Sequence, residues 1–279
     1  HRPLRSTHMS TVTSADGTTI AYERTGSGPT VVLVATCLDD RHGLDGIAAL
    51  LASRCTVVNY DRRGRGKSGD VQPWAPAREV DDIAALLDAI GEPAYLVSGS
   101  GGCQLALDAA SALGDRVAGL FLIDPPFIVG PGRPPAPADY IEHVDRLVAE
   151  DRRSDVVEYF FTQVAGVPAE YMEPMKADPS WQTMCRYAHT MPYDARLAAG
   201  LQDGTPLPTD RWTVTRPVRI VVGENSEPFL HEATEALAVL LPNARHDVLP
   251  GGDHGSFWMA SETLAGMIAD TVGAAAAHR

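Results

Sequence analysis

The 279 residues include 23 Lys and Arg against 36 Asp and Glu, and the resulting formal charge of −13 excludes the clustered cations of a phosphate-backbone reader. That length suits one large α/β domain, or one domain carrying a sizeable insertion, rather than two independent cores. The four cysteines, Cys37, Cys55, Cys103 and Cys185, lack metal-ligand spacing and read as reduced thiols of a cytoplasmic protein, with no metal expected.

The leading His1 to His8 reads as a cloning remnant, with Met9 as the natural start. Beyond it no apolar run approaches the roughly 20 residues that a membrane-spanning helix needs, so no membrane partner is expected. Thr18 to Tyr22 and Thr30 to Thr36 are rich in β-branched residues and flank the turn-forming Thr25-Gly26-Ser27-Gly28-Pro29, which predicts an antiparallel hairpin. Leu44 to Leu51 carries a helical stripe, Cys55 to Tyr60 is a strand, and Val80 to Ile90 is a helix. Ala94 to Ser98 is a strand, followed by a Gly/Ser turn and a helix from Gly102 to Leu113. The wholly apolar Val117 to Ile123 fits a strand covered on both faces. Alternation of strand and helix predicts a parallel sheet.

After Asp124 the alternation stops. Pro125, Pro126, Pro131, Pro134, Pro135 and Pro137 lead into a helical stretch with short helices at Tyr140 to Glu150, Ser154 to Val164 and Pro179 to His189, broken by further prolines. The pattern predicts a helical cap over 125–209, inserted into a core made of 9–124 and 210–279. Arg219 to Val222 resumes the sheet, Phe229 to Leu241 is a helix, Arg245 to Leu249 is the last strand, and Phe257 to Ala276 closes the chain as a helix.

The turn Ser98-Gly99-Ser100-Gly101-Gly102 resembles the nucleophile elbow, G-x-S-x-G, of the α/β-hydrolase family. Small residues two before and two after the nucleophile allow the sharp reversal. Ser98 and Gly102 meet that need around Ser100, whereas Ser98 as nucleophile would put Leu96 in one of those places. Tyr60-Asp61-Arg62-Arg63-Gly64-Arg65-Gly66-Lys67-Ser68 is similar to the family's Y-D-x-R-G-x-G-x-S segment. The likeness runs from Gly17 to the last helix, and it implies a doubly wound, mostly parallel α/β sheet with a cap.

The resemblance also implies roles. Ser100 would be the nucleophile. His254, on the Pro250-Gly251-Gly252-Asp253-His254-Gly255 loop, would be the base. Where most members carry their acid, this chain reads Gly223-Glu224-Asn225-Ser226-Glu227, with Ser226 at the aspartate's place. One branch of the family, haloalkane dehalogenases included, carries the acid after the preceding strand, where Asp124 stands; Glu224 and Glu227 remain as fallbacks. The amides of Gly101 and Cys37 would bind the oxyanion, although Ala35-Thr36 replaces the usual His-Gly before Cys37. Cap aromatics and methionines would line an apolar substrate cleft, with Leu38, Tyr159, Met184 and His189 as substrate-binding candidates. His189, Arg186 and Arg196 are candidates for meeting a substrate carboxylate, against simple surface solvation of each arginine.

These residues point to a cofactor-free serine hydrolase, a monomer or homodimer, cleaving an ester, lactone or thioester of a small, partly hydrophobic substrate. A serine nucleophile argues against the Asp-nucleophile chemistry of dehalogenases and epoxide hydrolases. Two other readings stay open: a lyase or cyclase using His254 as base without an acyl-enzyme, and a catalytically silent ligand-binding protein.

Overall fold

The computed structural model describes residues 9–277, and the presumed remnant His1 to His8 lies outside the described residues. The apolar strands β3 (Thr30–Val34), β4 (Thr56–Tyr60), β5 (Ala94–Gly99) and β6 (Val117–Ile123) are buried along their whole lengths. Such strands need helices on both faces, and the side-chain alternation assigns each residue to one of them. Val32 and Val34 face a core shared with α2 (Pro76–Ile90), α3 (Cys103–Leu113) and α9 (Pro228–Leu240). Val31 and Leu33 face the opposite core with α1 (Asp45–Leu51) and α10 (Glu262–Ala277).

The eight strands run in the order β1-β2-β4-β3-β5-β6-β7-β8, where β1 is Met9–Thr13, β2 Thr19–Gly26, β7 Val218–Gly223 and β8 Ala244–Leu249. All pairings from β4 to β8 are parallel. The expected hairpin between the first two strand segments does not form. Instead β2 pairs antiparallel with β1 on one side and β4 on the other, and β3 lies beyond β4. The glycines of the intervening turn show why. A Cβ on Gly26 would strike the carbonyls of Ala52 and Cys55, and one on Gly28 that of Arg54. The linker therefore crosses tightly over the α1–β4 connection instead of reversing the chain. The closing helix also starts later than expected, because Asp253 caps a 3₁₀ turn over His254–Phe257 and α10 begins only at Glu262.

Between β6 and β7 the chain forms a helical insertion: α4 (Tyr140–Ala149), α5 (Arg153–Tyr159), a π-turn at Phe160–Val164, α6 (Met172–Ala177), α7 (Ser180–Tyr187) and α8 (Met191–Leu197). Val144, Leu147, Val156, Trp181 and Met191 form its core, into which Leu38 from the loop after β3 also packs. Helix α8 escapes sequence reading because Pro192 looks like a breaker, yet it occupies the first turn of α8, where a missing N–H costs nothing.

Helix α8 carries the main polar tie to the sheet. Asp194, buried, accepts from Arg62 Nη1 at 2.8 Å and from Arg65 Nη2 at 2.6 Å. Tyr187 adds a bond to Asp40 Oδ2 at 2.6 Å, and Tyr193 one to Asp70 at 2.8 Å. Arg62 keeps a bidentate partner in Glu79, but Asp194 is the only carboxylate on Arg65 among the described residues. Asp194→Ala should therefore lower the unfolding free energy by about 3–5 kcal/mol, the usual effect of stranding a buried cation, as urea denaturation would measure. An unchanged midpoint would show that the network adds nothing to stability.

Candidate active site

Strand β5 delivers Ser100 on a bend whose sterics depend on small neighbours. Ser100 itself adopts φ +51°, a left-handed conformation that L-residues avoid. A Cβ on Gly102 would collide with Ser98 Oγ and with the carbonyls of Val34 and Ala35, and one on Gly99 would press on the Phe257 ring. Ser98 is fully buried and donates to Val34 O at 2.8 Å, whereas Ser100 opens into a cavity.

His254 is held by its own turn. Asp253 accepts from Gly255 N at 2.9 Å while Ser256 Oγ accepts from Asp253 N at 3.0 Å, a reciprocal cap. Its Nε2 stands 3.1 Å from Ser100 Oγ and its Nδ1 3.3 Å from Asp124 Oδ2. Asp124, buried and at φ +47°, accepts two further bonds: Gly223 N–H to Oδ1 at 3.0 Å and Ser226 O–H to Oδ2 at 2.6 Å. Ser226, where the family resemblance would place an aspartate, thus serves as a donor that anchors the Asp124 carboxylate. The fallback acids make other contacts. Glu224 accepts from Gly251 N at 2.6 Å, and Glu227 faces Arg133.

Gly101 and Cys37 both line the cavity beside Ser100. The loop after β3, without its glycine, carries its left-handed residue at Leu38, φ +58°. Its backbone is tied from below. Arg62 Nη1 donates to Ala35 O at 3.2 Å, and Arg65 Nη1 donates to Thr36 O. In a trans peptide the N–H of Cys37 lies anti to the Thr36 carbonyl, so holding that carbonyl also sets the direction of the amide. The Tyr60–Ser68 segment supports these arginines. Asp61 is fully buried and accepts from Lys67 N at 2.8 Å and Arg41 Nη1 at 2.7 Å, while a Cβ on Gly66 would run into its carboxylate. Burial, reinforced by the charge of Asp194, pushes the Cys37 thiol up to about 12, so it stays protonated and is a poor nucleophile.

The cavity encloses about 610 Å³ between the C-terminal ends of the strands and the helical insertion. Leu38 and Met184 line it, but Tyr159 and His189 do not. The Tyr159 ring is spent within the insertion, stacked 4.1 Å from His143, and His189 Nδ1 sits 3.2 Å from Arg186 O. Arg186 is exposed, and Arg196 pairs with Asp145 at 2.7 Å, so neither lines the cavity. Residues that sequence reasoning passed over do: Gln104, whose buried Oε1 has no partner among the described residues, Asp39 and Arg133. Among the described residues no group of three or more His, Cys, Asp or Glu side chains is arranged to hold a metal, and no helix is long and apolar enough to cross a membrane.

Burial pushes the Asp39 carboxyl up to about 6 from an ordinary 3.8. Between those values the folded protein keeps a proton that the unfolded chain releases, so stability falls as pH rises through that window. Asp39→Asn should consequently stabilise the protein at pH 8 by about 1–2 kcal/mol, discounted for partial exposure, and change nothing below pH 3.5. Thermal melts of both proteins at the two pH values check this, and equal gains at both would refute it.

The sequence matches the description "Alpha/beta hydrolase family" over residues 17–267, nearly the whole described chain. The chain belongs to the alpha/beta hydrolase family. Among solved hydrolase structures, an alpha/beta hydrolase from Sphaerobacter thermophilus is 40% identical with a TM-score of 0.85, covering 94% of this chain and 99% of the other. The curated 2-(acetamidomethylene)succinate hydrolase of Mesorhizobium japonicum is 27% identical over 252 residues, 85% of each chain. A shorter match of 94 residues at 38% identity joins this chain to the "Probable oxidoreductase EphD" of Mycobacterium tuberculosis, of whose length it spans only 16%.

Proposed function

We propose that this protein is a serine hydrolase acting on a carboxylic ester, thioester or lactone. The observation that carries this reading is the continuous relay from Ser100 Oγ through His254 to Asp124, at 3.1 and 3.3 Å. Ser100 Oγ attacks the carbonyl carbon while its proton passes to His254 Nε2. The electron pair displaced from the carbonyl rests on an oxyanion facing the Gly101 and Cys37 amides. As the tetrahedral intermediate collapses, His254 returns the proton to the leaving oxygen or sulfur, and the acyl group stays on Ser100. Water then repeats the sequence in reverse, with His254 as base, and frees the acid. Asp124 fixes the imidazole with Nδ1 protonated and stabilises the imidazolium of each half-reaction.

The helical insertion acts as a cap that sets the substrate class. Phe160, Phe161, Val164 and Phe229 make the cavity wall mostly apolar, which suits a small, partly hydrophobic acyl group. The Mesorhizobium relative is named for hydrolysis of a substituted succinate, which supports the small size of the substrate.

A fluorophosphonate probe and p-nitrophenyl esters test the reading together. Mass addition on Ser100 with ester turnover is the expected result. No labelling and no turnover would sink acyl-enzyme chemistry and leave the lyase, cyclase or silent-binder readings.

A further inference from the structure

Among the described residues, Arg133 is the one Lys or Arg that lines the cavity. It sits on the connection from β6 to the helical insertion, between Pro131 and Pro134-Pro135, whose fixed φ angles limit how far it moves. Its side chain is 14% exposed. The guanidinium lies 4.3 Å over the Phe229 ring, donates from Nη2 to Val164 O at 3.0 Å, and packs where Gly166 leaves no Cβ in the way.

The other buried arginines near the site are tightly neutralised. Arg62, Arg63 and Arg65 each meet buried carboxylates at 2.6–2.8 Å. Among the described residues the only carboxylate that Arg133 meets is Glu227, at 3.5 Å, and that side chain is 67% exposed, where solvent screens its charge. Burial correspondingly lowers the Arg133 pKa, with Glu227 offsetting only part of the effect. One backbone carbonyl and one loose ion pair leave much of a five-donor fork unused in a mostly apolar wall. The bland alternative, a strap that merely holds the π-turn through Val164, accounts for a single donor. Two other acids line the cavity: Asp194, already bridged by Arg62 and Arg65, and Asp39, on the loop after β3.

We propose that Arg133 anchors a free carboxylate of the substrate, so that the ester cleaved is one arm of a short-chain dicarboxylic acid or of an equivalent acid-bearing acyl group. A carboxylate matches the planar fork of a guanidinium and supplies the compact anion that the desolvated cation lacks. This rests on the serine hydrolase reading and narrows its substrate class.

The test compares kcat/KM for the monomethyl esters of succinic, glutaric and adipic acid with that for their dimethyl esters, in the wild type, Arg133→Met and Arg133→Lys. Varying the chain length finds the spacing between anchor and nucleophile. The wild type should prefer at least one monoacid over its diester, mainly through KM. Arg133→Met should cut that preference by about ten- to a hundred-fold, and Arg133→Lys, which keeps the charge, by less. No preference in the wild type, or a preference kept in a folded Arg133→Met protein, overturns the anchor. If Arg133→Met does not fold, Arg133→Lys decides, because it loses the fork geometry; an unchanged preference then overturns the proposal. If no ester is cleaved and Ser100 takes no phosphonate, the hydrolase reading fails by itself. Calorimetric binding of monomethyl adipate then decides the anchor: binding weakened at least tenfold in the Arg133 variant supports it, and equal binding overturns it.

Discussion

Ser100→Ala is expected to abolish phosphonate labelling and to lower kcat on p-nitrophenyl esters by about 10⁴–10⁶-fold, with the fold intact. The size follows from the relay. Without the hydroxyl, His254 has nothing to deprotonate, and only the oxyanion amides and substrate binding remain to speed attack by water. A second substitution at the same position separates chemistry from stability. Ser100 sits at φ +51°, where an L-residue costs about 1–2 kcal/mol, whereas glycine loses only about 0.5–1 kcal/mol in chain entropy. Ser100→Gly should be as inactive as the alanine variant yet melt at or above the wild-type temperature, as strain kept for function predicts. A clearly lower Tm for the glycine variant would mean that the bend is not strained by the serine, and residual labelling of either variant would move the nucleophile elsewhere.

The sheet was legible because runs such as Val31 to Val34 and Val117 to Ile123 are apolar without a break, short and bounded by turn residues, which favours a strand buried on both faces over a helix. The β2 crossover was not, since a Gly/Ser/Pro linker reads alike whether it reverses the chain or carries it over a neighbour. Ser100, Asp124 and His254 could be nominated because the turns that carry them resemble segments of the α/β-hydrolase family, and the structure brings the three within 3.1–3.3 Å contacts. The cavity wall was harder. Tyr159 and His189 have the right chemistry, but helical phase and short irregular helices decide which side chains face inward, and the π-turn at Phe160–Val164 shifts that phase. Arg133 lies in a proline-rich stretch with no periodicity at all, so nothing in its neighbours signals burial. Asp194 was hidden differently. Its helix carries a proline in the first turn, and its partners, Arg62 and Arg65, lie more than 125 residues away in the chain.

Asp124→Asn is expected to lower kcat by about 10³–10⁴-fold while leaving the protein folded, because an amide in place of the carboxylate favours the wrong imidazole tautomer and cannot stabilise the imidazolium. The neighbouring Ser226 makes a stronger test possible. Its hydroxyl lies 2.6 Å from Asp124 Oδ2, the same oxygen that faces His254 Nδ1 at 3.3 Å, so a carboxylate grown from position 226 enters the space beside the imidazole. Ser226→Asp alone should be harmful. It places two carboxylates in a buried contact, where one must take up a proton and the hydroxyl donor to Asp124 is lost. Combined with Asp124→Asn, the same change should restore activity at least tenfold over Asp124→Asn, since the amide can donate to the new carboxylate while that carboxylate takes over the imidazole. The signature is a reversal of sign: Ser226→Asp harms the wild type and helps the Asp124→Asn protein, which a double-mutant cycle in kcat/KM reads directly. Independent, additive losses would show that the two positions do not share one acid site, and an unaffected rate in Asp124→Asn would return the role to Glu224 or Glu227.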